Sequence, residues 1–578
     1  MQIVESRRLT GPSLLSDRVG AALEAFFTPS EAKSAVVDLW RIYVREAMSG
    51  LGLPDPDLFI RDYGRAVTLG FSAPVDVLYS ATNINEWALR KAAAVVSGLD
   101  AASAESDWSL LEPGLRAETN LAIRVLAEEA AVRGVPMLCD DVSVSLGYGV
   151  NSVTYKKDEL PEMKEIPWDR VGLIPVAIVT GTNGKTTTTR LAAHILMVSG
   201  HQVGASTSDG IQVNGVIEQE GDWTGPGAAR AVLRNRRITA AVLETARGGY
   251  LRRGLGVLGC DVAVVTNVAK DHLGDYGIDE VDAMASVKMG IAQRVGKSGT
   301  VVLNADDRHI VSRAATVLAK VVWFGMNPKH PIFANVFATG GRAVGVDGGD
   351  IVLFDGNHSQ RLVRVKEIPV TFGGTAGHNL ANALAATALV WSLGVTPEAI
   401  ARGLLTFLPN PQQNPGRANC YRVGDVSLIL DFAHNPHGVA AVLDFVQRAH
   451  PLGRKIAIVG QAGDRDEEAL TELAKSLVDG GIHSVILRPV HGYLRGRGEY
   501  EIPEFLANCL KQLGMPQSRI AIAPSETAGL DLAFSQAQKD DVVLLLAHVE
   551  RKQVAAHLAQ IHAVPDSIVS GPELHSTC

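Results

Sequence analysis

Short apolar runs that end abruptly in polar or glycine-rich turns recur along the chain. Val176-Ala-Ile-Val179 is a β-branched run that stops at Thr180-Gly181, and Leu191, Ile195 and Val198 then recur at helical spacing. Ile238 to Leu243 reads as a buried strand closing on Glu244 and Thr-Ala-Arg-Gly-Gly, while Val262 to Thr266 closes on Asn267, with Asp271-His272 just beyond. Farther on, Val426 to Leu430, Lys455 to Val459, Ser484 to Leu487 and Val542 to Leu546 alternate with helical patterns, predicting a Rossmann-like unit. Strands alternating with helices predict parallel sheets and a multidomain α/β protein, preceded by an α+β N-terminal domain. Leu408-Pro-Asn-Pro-Gln-Gln-Asn-Pro415 cannot continue a helix and predicts a hinge. Glycines near 340 and 348 predict a small β insertion or meander. The expected domains are residues 1–165, 166–413 and 414–578.

At 578 residues, the chain exceeds a single hydrophobic core, so roughly three or four domains are expected. Its 46% apolar and 20% charged residues describe an ordinary globular protein. A formal charge of −8 argues against general nucleic-acid binding and leaves nucleotide binding open. The five cysteines form no C-x-x-C pair and read as reduced thiols of a cytoplasm. Met1 to Asp17 carries Glu5, Arg7 and Arg8 and no apolar leader, and no run approaches the roughly 20 apolar residues that span a bilayer. The expectation is a cytoplasmic homo-oligomer that binds neither nucleic acid nor membrane.

The strand–turn–helix at Val176 to Val198 has the parts of a phosphate-binding loop. Backbone N–H groups around Gly181, Thr182, Asn183 and Gly184 can wrap phosphate oxygens, and the helix N-terminus adds positive potential. Lys185 supplies a mobile charge for the outer phosphates, and the Thr186 hydroxyl, followed by Thr187, is placed to bind Mg²⁺. Val179 stands where the usual spacing has its first glycine, so the loop is a variant, and a plain strand–helix turn is the bland alternative. In a parallel sheet, strand carboxyl ends gather on one edge, where Glu244 and His272 would face the same phosphates and help hold Mg²⁺. Taken singly, the first is a solvated strand cap and the second a structural histidine. Lys288 lies in an apolar helical pattern, where a lysine ordinarily snorkels.

Thr180-Gly-Thr-Asn-Gly-Lys-Thr-Thr187, Glu244-Thr-Ala-Arg-Gly-Gly249, Asn267 with Asp271-His-Leu-Gly274, Leu303-Asn-Ala-Asp-Asp307, Gly377-His-Asn379 with Asn382, Gly416-Arg417 and Asp431-Phe-Ala-His-Asn-Pro436 resemble the ordered motifs of the Mur ligase superfamily. Gly221-Asp-Trp-Thr-Gly-Pro226, Gly463-Asp-Arg-Asp-Glu467 and Arg495-Gly-Arg-Gly-Glu499 are more similar still to the Mur-like half of cyanophycin synthetase. The resemblance runs from about residue 166 to the C-terminus. It implies an ATP-dependent amide ligase, in which ATP phosphorylates a carboxylate and an amine attacks the acyl phosphate. By the same resemblance, Lys185, Thr186 and Mg²⁺ serve phosphoryl transfer, Glu244 and His272 ligate a second ion, and Lys288 matches a lysine carried as a carbamate beside the metal. Asn379 and Asn382 match the adenine-side motif. Arg417 and Asp431 match residues that reach the phosphates and ribose when the C-terminal domain closes, excluding water.

Leu9-Thr-Gly-Pro-Ser13, Ala117-Glu-Thr-Asn120, Arg133-Gly-Val-Pro136 and Ser145-Leu-Gly-Tyr-Gly149 are similar to the opening of cyanophycin synthetase and the entry to its ATP-grasp module. Only about sixteen residues then separate Gly149 from the phosphate-loop domain, whereas even a minimal domain needs roughly 50. The resemblance therefore implies the half-reaction that adds an amino acid, possibly arginine in that family, to an acceptor side chain, without the half that extends a backbone. A non-ligating nucleotide-binding scaffold and a folylpolyglutamate-synthase-like ligase are the competing readings. Asp464, Asp466 or Glu499 could recognise a basic amine. Arg495 and Arg497 could touch a charged substrate or be ordinary surface arginines. His434-Asn435-Pro436 reads as a capped turn or a substrate contact.

Overall fold

The protein is described by a computed structural model covering residues 1–28, 32–99, 102–271, 273–546 and 549–566. Its N-terminal region pairs β1 (Gln2–Leu9), β2 (Gly20–Phe26), β3 (Leu58–Tyr63) and β4 (Ala66–Ser72) in an antiparallel sheet of order β1-β2-β4-β3. Helices Lys33–Gly50 and Leu78–Val96 bury Trp40, Val44, Ile84 and Leu89 against Leu23, Leu69 and Phe71 of this sheet. A three-stranded antiparallel sheet follows, β5 (Met137–Cys139), β6 (Ser143–Leu146) and β7 (Val153–Lys156), with its own core around Ile123, Leu126 and Val144.

The central sheet has eleven strands: β8 (Val176–Thr180), β9 (Val203–Thr207), β10 (Gly210–Val213), β11 (Val216–Glu220), β12 (Ala240–Glu244), β13 (Cys260–Val265), β14 (Val295–Asn304), β15 (Lys320–Gly325), β16 (Arg342–Asp347), β17 (Asp350–Asp355) and β18 (His358–Arg364). Their order is β11-β10-β9-β12-β8-β13-β14-β15-β16-β17-β18. The strands from β9 to β16 in this order pair in parallel, and an antiparallel extension flanks each side. The meander expected near Gly340 and Gly348 is therefore the sheet's own edge, with Gly348 and Gly349 turning β16 into β17. Strands buried on both faces need continuous apolar runs, and β8, β12 and β13 supply them. One face packs on helices Lys185–Val198 and Gly377–Ser392, the other on helix Val281–Ala292.

The last sheet holds β19 (Asn419–Val423), β20 (Val426–Asp431), β21 (Lys455–Gly460), β22 (Ser484–Arg488), β23 (Ile520–Ile522), β24 (Val542–Leu546) and β25 (Val564–Pro565), in the order β23-β22-β21-β24-β20-β19-β25. Its first five members are parallel and the last two antiparallel, an open doubly wound sheet. The proline-rich segment before it carries no regular element, and it is anchored rather than loose. Asn414 is fully buried, and Asn419 Nδ2 donates to the carbonyls of Pro409 and Asn414. No helix among the described residues is long and apolar enough to cross a membrane.

Candidate active site

β8, β12 and β13 lie side by side in parallel, so their carboxyl ends open onto one edge. There the central and C-terminal sheets enclose a cleft of about 800 Å³, lined by the phosphate loop, Glu244, Asn267, Asn379, Arg417 and Asp431 among others. Gly184 begins the turn into helix Lys185–Val198 with φ of 83°, and a Cβ there would stand 2.1 Å from Asn382 Oδ1. Both the left-handed backbone and the close approach demand glycine. The loop is fastened from β13, because Asn183 N–H donates to Asn267 Oδ1 at 2.9 Å, while Asn267 Nδ2 and Thr266 Oγ1 donate to Asn183 O at 3.0 and 2.7 Å. Lys185 Nζ donates to Thr182 O at 2.9 Å, at the mouth of the loop.

The Thr186 hydroxyl donates to Glu244 Oε2 at 2.9 Å, and Ser208 N–H reaches the same oxygen at 3.3 Å. Burial pushes the Glu244 carboxyl up, with the charges of Lys185 and Arg417 and the Thr186 hydrogen bond pulling the other way. An anionic oxygen and a hydroxyl so paired, opening on a phosphate loop, are a hard-cation donor set that needs substrate oxygens to be complete. Among the described residues, no group of three or more His, Cys, Asp and Glu side chains is arranged to hold a metal by itself. His272 lies outside the described residues. Its neighbour Asp271 is bound by Arg465 at 3.0 Å, with His434 Nε2 3.9 Å away.

Lys288 does not snorkel. It is 4% exposed, and its ammonium donates to Gly181 O at 2.8 Å beneath the phosphate loop. Desolvation, reinforced by the charge of Lys185, pushes it down to about 7.

Arg417 arrives from the other side. Its guanidinium lies 4.4 Å from the centroid of the Phe432 ring, and Nη2 sits 3.4 Å from Thr186 Oγ1 and 3.3 Å from Ser208 Oγ. Asp431 lines the cleft with its oxygens engaged by backbone: Oδ2 accepts from Ala418 N–H and Oδ1 from Ala433 N–H, both at 2.8 Å. It thereby fixes the turn that presents Arg417. Thr187 also lines the cleft, and its Oγ1 lies 3.5 Å from Asn414 Oδ1.

Next to the loop, Asn379 and Asn382 differ in what they offer. Asn382 sits under Gly184 and donates to Asn379 Oδ1 at 3.2 Å, so it buttresses the loop. Asn379 is 2% exposed, and its Nδ2 has no protein partner, an orphaned donor of the kind a purine ring nitrogen satisfies.

Sequence reasoning missed one link. Asn435 caps helix Pro436–Ala449 and exchanges amide hydrogen bonds of 2.9 and 3.2 Å with Asn183, tying the C-terminal domain to the phosphate loop. The Asn-Pro signal marked the cap, but nothing in the chain announced its partner 252 residues away. Arg495, Arg497 and Glu499 do not line the cleft. Arg497 instead donates to the carbonyls of Gly463 and Arg465 and shapes their loop. That loop faces a second cavity of about 90 Å³ beside the first, lined by Asp271, Asp464, Arg465, Asp466, Lys270 and Glu472 among others.

Residues 179–390 match the Mur ligase middle domain, and residues 416–549 match the Mur ligase, glutamate ligase domain. The chain belongs to the Mur ligase family. Cyanophycin synthetase of Synechocystis sp. is 37% identical over 470 residues, covering 81% of this chain and 52% of that protein. The Geminocystis herdmanii cyanophycin synthetase is 42% identical over 302 residues, 52% of this chain and 34% of the relative. The chain thus spans about half the length, or less, of these curated relatives. UDP-N-acetylmuramate–L-alanine ligase of Xanthomonas euvesicatoria is 26% identical over 429 residues, covering 70% of this chain and 80% of that enzyme. Among solved structures, E. coli FolC in complex with DHPP and ADP superposes with a TM-score of 0.51 at 20% identity, over 67% of this chain and 89% of FolC, which speaks for the shared fold. This Mur ligase holds its central and C-terminal sheets around one cleft, with the N-terminal sheets added.

Proposed function

We propose that this Mur ligase is an ATP-dependent acid–amino-acid ligase, working through residues 166–413 and 414–578. The observation that carries the reading is the convergence of Lys185, Thr186, Glu244 and Arg417, from two domains, on one cleft that also holds the orphaned Asn379 amide. A nucleotide-binding scaffold needs no such meeting of a phosphate-side lysine, a buried carboxylate and a second-domain arginine. ATP would lie with its adenine toward Asn379 and its phosphates in the loop from Gly181 to Thr187.

In this reading, the backbone of the loop and the helix N-terminus hold the phosphates, and Lys185 swings from Thr182 O to the transferring group. Thr186 and Glu244 would hold a divalent cation, Mg²⁺ by our assignment, with His272 and, as its carbamate rather than its ammonium, Lys288 as further ligands; bound there, it would neutralise charge on the phosphoryl and carboxylate oxygens. Arg417, held planar on Phe432, faces the charge that develops as the acceptor carboxylate attacks the γ-phosphorus. The amine then displaces phosphate from the acyl phosphate, forming the amide. Asn435 holds the C-terminal domain on the loop and so keeps water from the acyl phosphate.

The amine is assigned to the second cavity. Asp271 and Glu472 are already paired there with Arg465 and Lys270, so it is Asp464 and Asp466 that would face a basic amino acid, and arginine is the first to test. The test is phosphate release by the pure protein, with ATP, across amino acids and acidic acceptors, with products weighed by mass spectrometry. Amide formation with at least one pair, lost in a folded Lys185→Ala variant, is the expected outcome. Wild-type turnover by Lys185→Ala would refute the assignment.

A further inference from the structure

The N-terminal sheet lies against the central domain, and many of its polar contacts fall on two loops. The first follows β12 and Glu244 and carries the short helix Arg247–Arg252. Glu5 Oε1 accepts from Arg252 Nε at 2.8 Å and Nη2 at 2.6 Å, Thr10 N–H donates to Arg253 O at 2.9 Å, and Leu255 N–H donates to Pro12 O at 2.7 Å. Gly11 approaches so closely that a Cβ would stand 1.9 Å from Leu255 O, which accounts for the glycine in Leu9-Thr-Gly-Pro-Ser13. The second loop follows β13 and Asp271. Tyr276 Oη donates to Glu5 Oε2 at 2.7 Å, and Arg61 donates to the carbonyls of Tyr276 at 2.6 Å and Gly277 at 3.3 Å. The Arg7 guanidinium lies 5.1 Å from the Tyr276 ring centroid and donates to Glu5 Oε2 at 3.3 Å.

Two facts make this more than domain packing. Tyr276 sits at φ of 54°, a left-handed backbone that a bulky residue adopts only when its surroundings impose it. Glu5 provides such surroundings with one carboxylate: one oxygen holds the first loop, and the other holds the second. The loops are also joined directly, Arg247 to Asp275 at 2.6 Å. Upstream, the first begins at the carboxylate that binds Thr186, and the second contains Asp271, which lines the second cavity.

We propose that Glu5 is a positioning residue: through Arg252 and Tyr276, the N-terminal domain sets the spacing between the loops that follow Glu244 and Asp271, and so the rate of phosphoryl transfer in the cleft. The proposal rests on the ligase reading for its kinetic readout. Glu5 touches neither nucleotide nor acceptor, so its loss should lower kcat and leave the KM for ATP nearly unchanged.

The experiment compares wild type, Glu5→Gln, Tyr276→Phe and the double variant by steady-state phosphate release and by hydrogen exchange of peptides spanning 247–255 and 273–278. Glu5→Gln keeps the size of the side chain, and Tyr276→Phe removes one hydroxyl, so the fold should survive both. Expected are a kcat at least about tenfold lower for Glu5→Gln with KM within about twofold, faster exchange in both loops, exchange confined to 273–278 for Tyr276→Phe, and a double variant no slower than Glu5→Gln, since both act through one carboxylate. Wild-type kcat in Glu5→Gln, or additive losses in the double variant, would overturn the proposal. Should the wild type turn over no acceptor, the ligase reading falls separately, and the exchange measurement decides. Faster exchange in both loops of Glu5→Gln supports the positioning role, and wild-type exchange in either loop overturns it.

Discussion

Arg551 Nη1 lies 2.6 Å from Asp209 Oδ1, joining the last long helix of the C-terminal domain to the turn between β9 and β10. Asp209 is also paired with Arg190 at 3.1 Å, and both of those side chains are almost wholly buried. The two arginines are unequal partners, because Arg190 has no access to water if Asp209 is lost, whereas Arg551 is a third exposed. Asp209→Ala should therefore destabilise the central domain by about 3 kcal/mol, the usual cost of stranding a buried charge. Arg551→Ala should cost about 1 kcal/mol or less and act instead on turnover, by loosening the two domains. Denaturant unfolding and phosphate release on both variants check this; equal destabilisation would contradict it.

Arg417 offers a sharper test of the cleft. Stacking on Phe432 depends on a planar guanidinium, which an ammonium does not replace. Arg417→Lys should be nearly as impaired as Arg417→Ala, each losing about 10²-fold or more in kcat, the range for a preorganised donor facing transition-state charge. A lysine variant with most of the wild-type rate would show that only the charge matters.

What could be read from the chain follows from how local each signal is. The phosphate loop, the Glu244 strand end and the doubly wound C-terminal sheet rest on contiguous runs, β8, β12, β20, β21 and β24, whose period and polarity are set by their own burial. The pairings that give the site its shape were not legible. Asn183 with Asn435, Arg551 with Asp209 and Glu5 with Tyr276 join residues hundreds of positions apart, and no periodicity encodes such a partner. Lys288 shows the other failure. Its helix pattern fits an ordinary snorkelling lysine, and only the tertiary fold reveals that its ammonium ends beneath Gly181.

Asn379 gives a prediction on nucleotide choice. A buried amide N–H with no protein partner is costly, so a ligand that accepts from it gains about 1 kcal/mol or somewhat more. Asn379→Ala should weaken ATP binding by about tenfold while changing GTP binding less, narrowing the preference between them. Competition binding with both nucleotides measures this, and an unchanged preference would place the purine elsewhere.

Glu5 carries a pH signature. Burial by itself raises its carboxyl, but the hydrogen bonds from Tyr276 and Arg252 and the charge of Arg7 outweigh that and hold it below the ordinary value of 4.5. A lowered folded value means that the carboxylate stabilises the protein fully above the unfolded value, and that this contribution is lost as pH falls through the folded one. The difference in melting temperature between wild type and Glu5→Gln should be largest well above pH 4.5 and close progressively below it. A difference that stays constant into acid would show that the ion pairs to Arg252 and Arg7 contribute nothing.

The last prediction concerns what this chain makes. β7 ends at Lys156 and β8 begins at Val176, and the intervening residues hold one short 3₁₀ turn, Met163–Glu165, where a second phosphate-transfer domain would have to be inserted. Each kind of activated carboxylate needs a site that aligns it with the γ-phosphate, and extending a backbone and decorating a side chain present carboxylates in different settings. With one loop, one Glu244 and one Arg417, the protein should add only the amine component to an acceptor made elsewhere, repeating along a chain if one is offered. Incubation with ATP, aspartate, arginine and a short aspartyl primer, followed by mass spectrometry, separates the cases. Mass increments of the amine alone, or no product until another acceptor is supplied, agree with a single activation site. Primers that gain aspartate in the backbone would mean that one cleft serves both carboxylates.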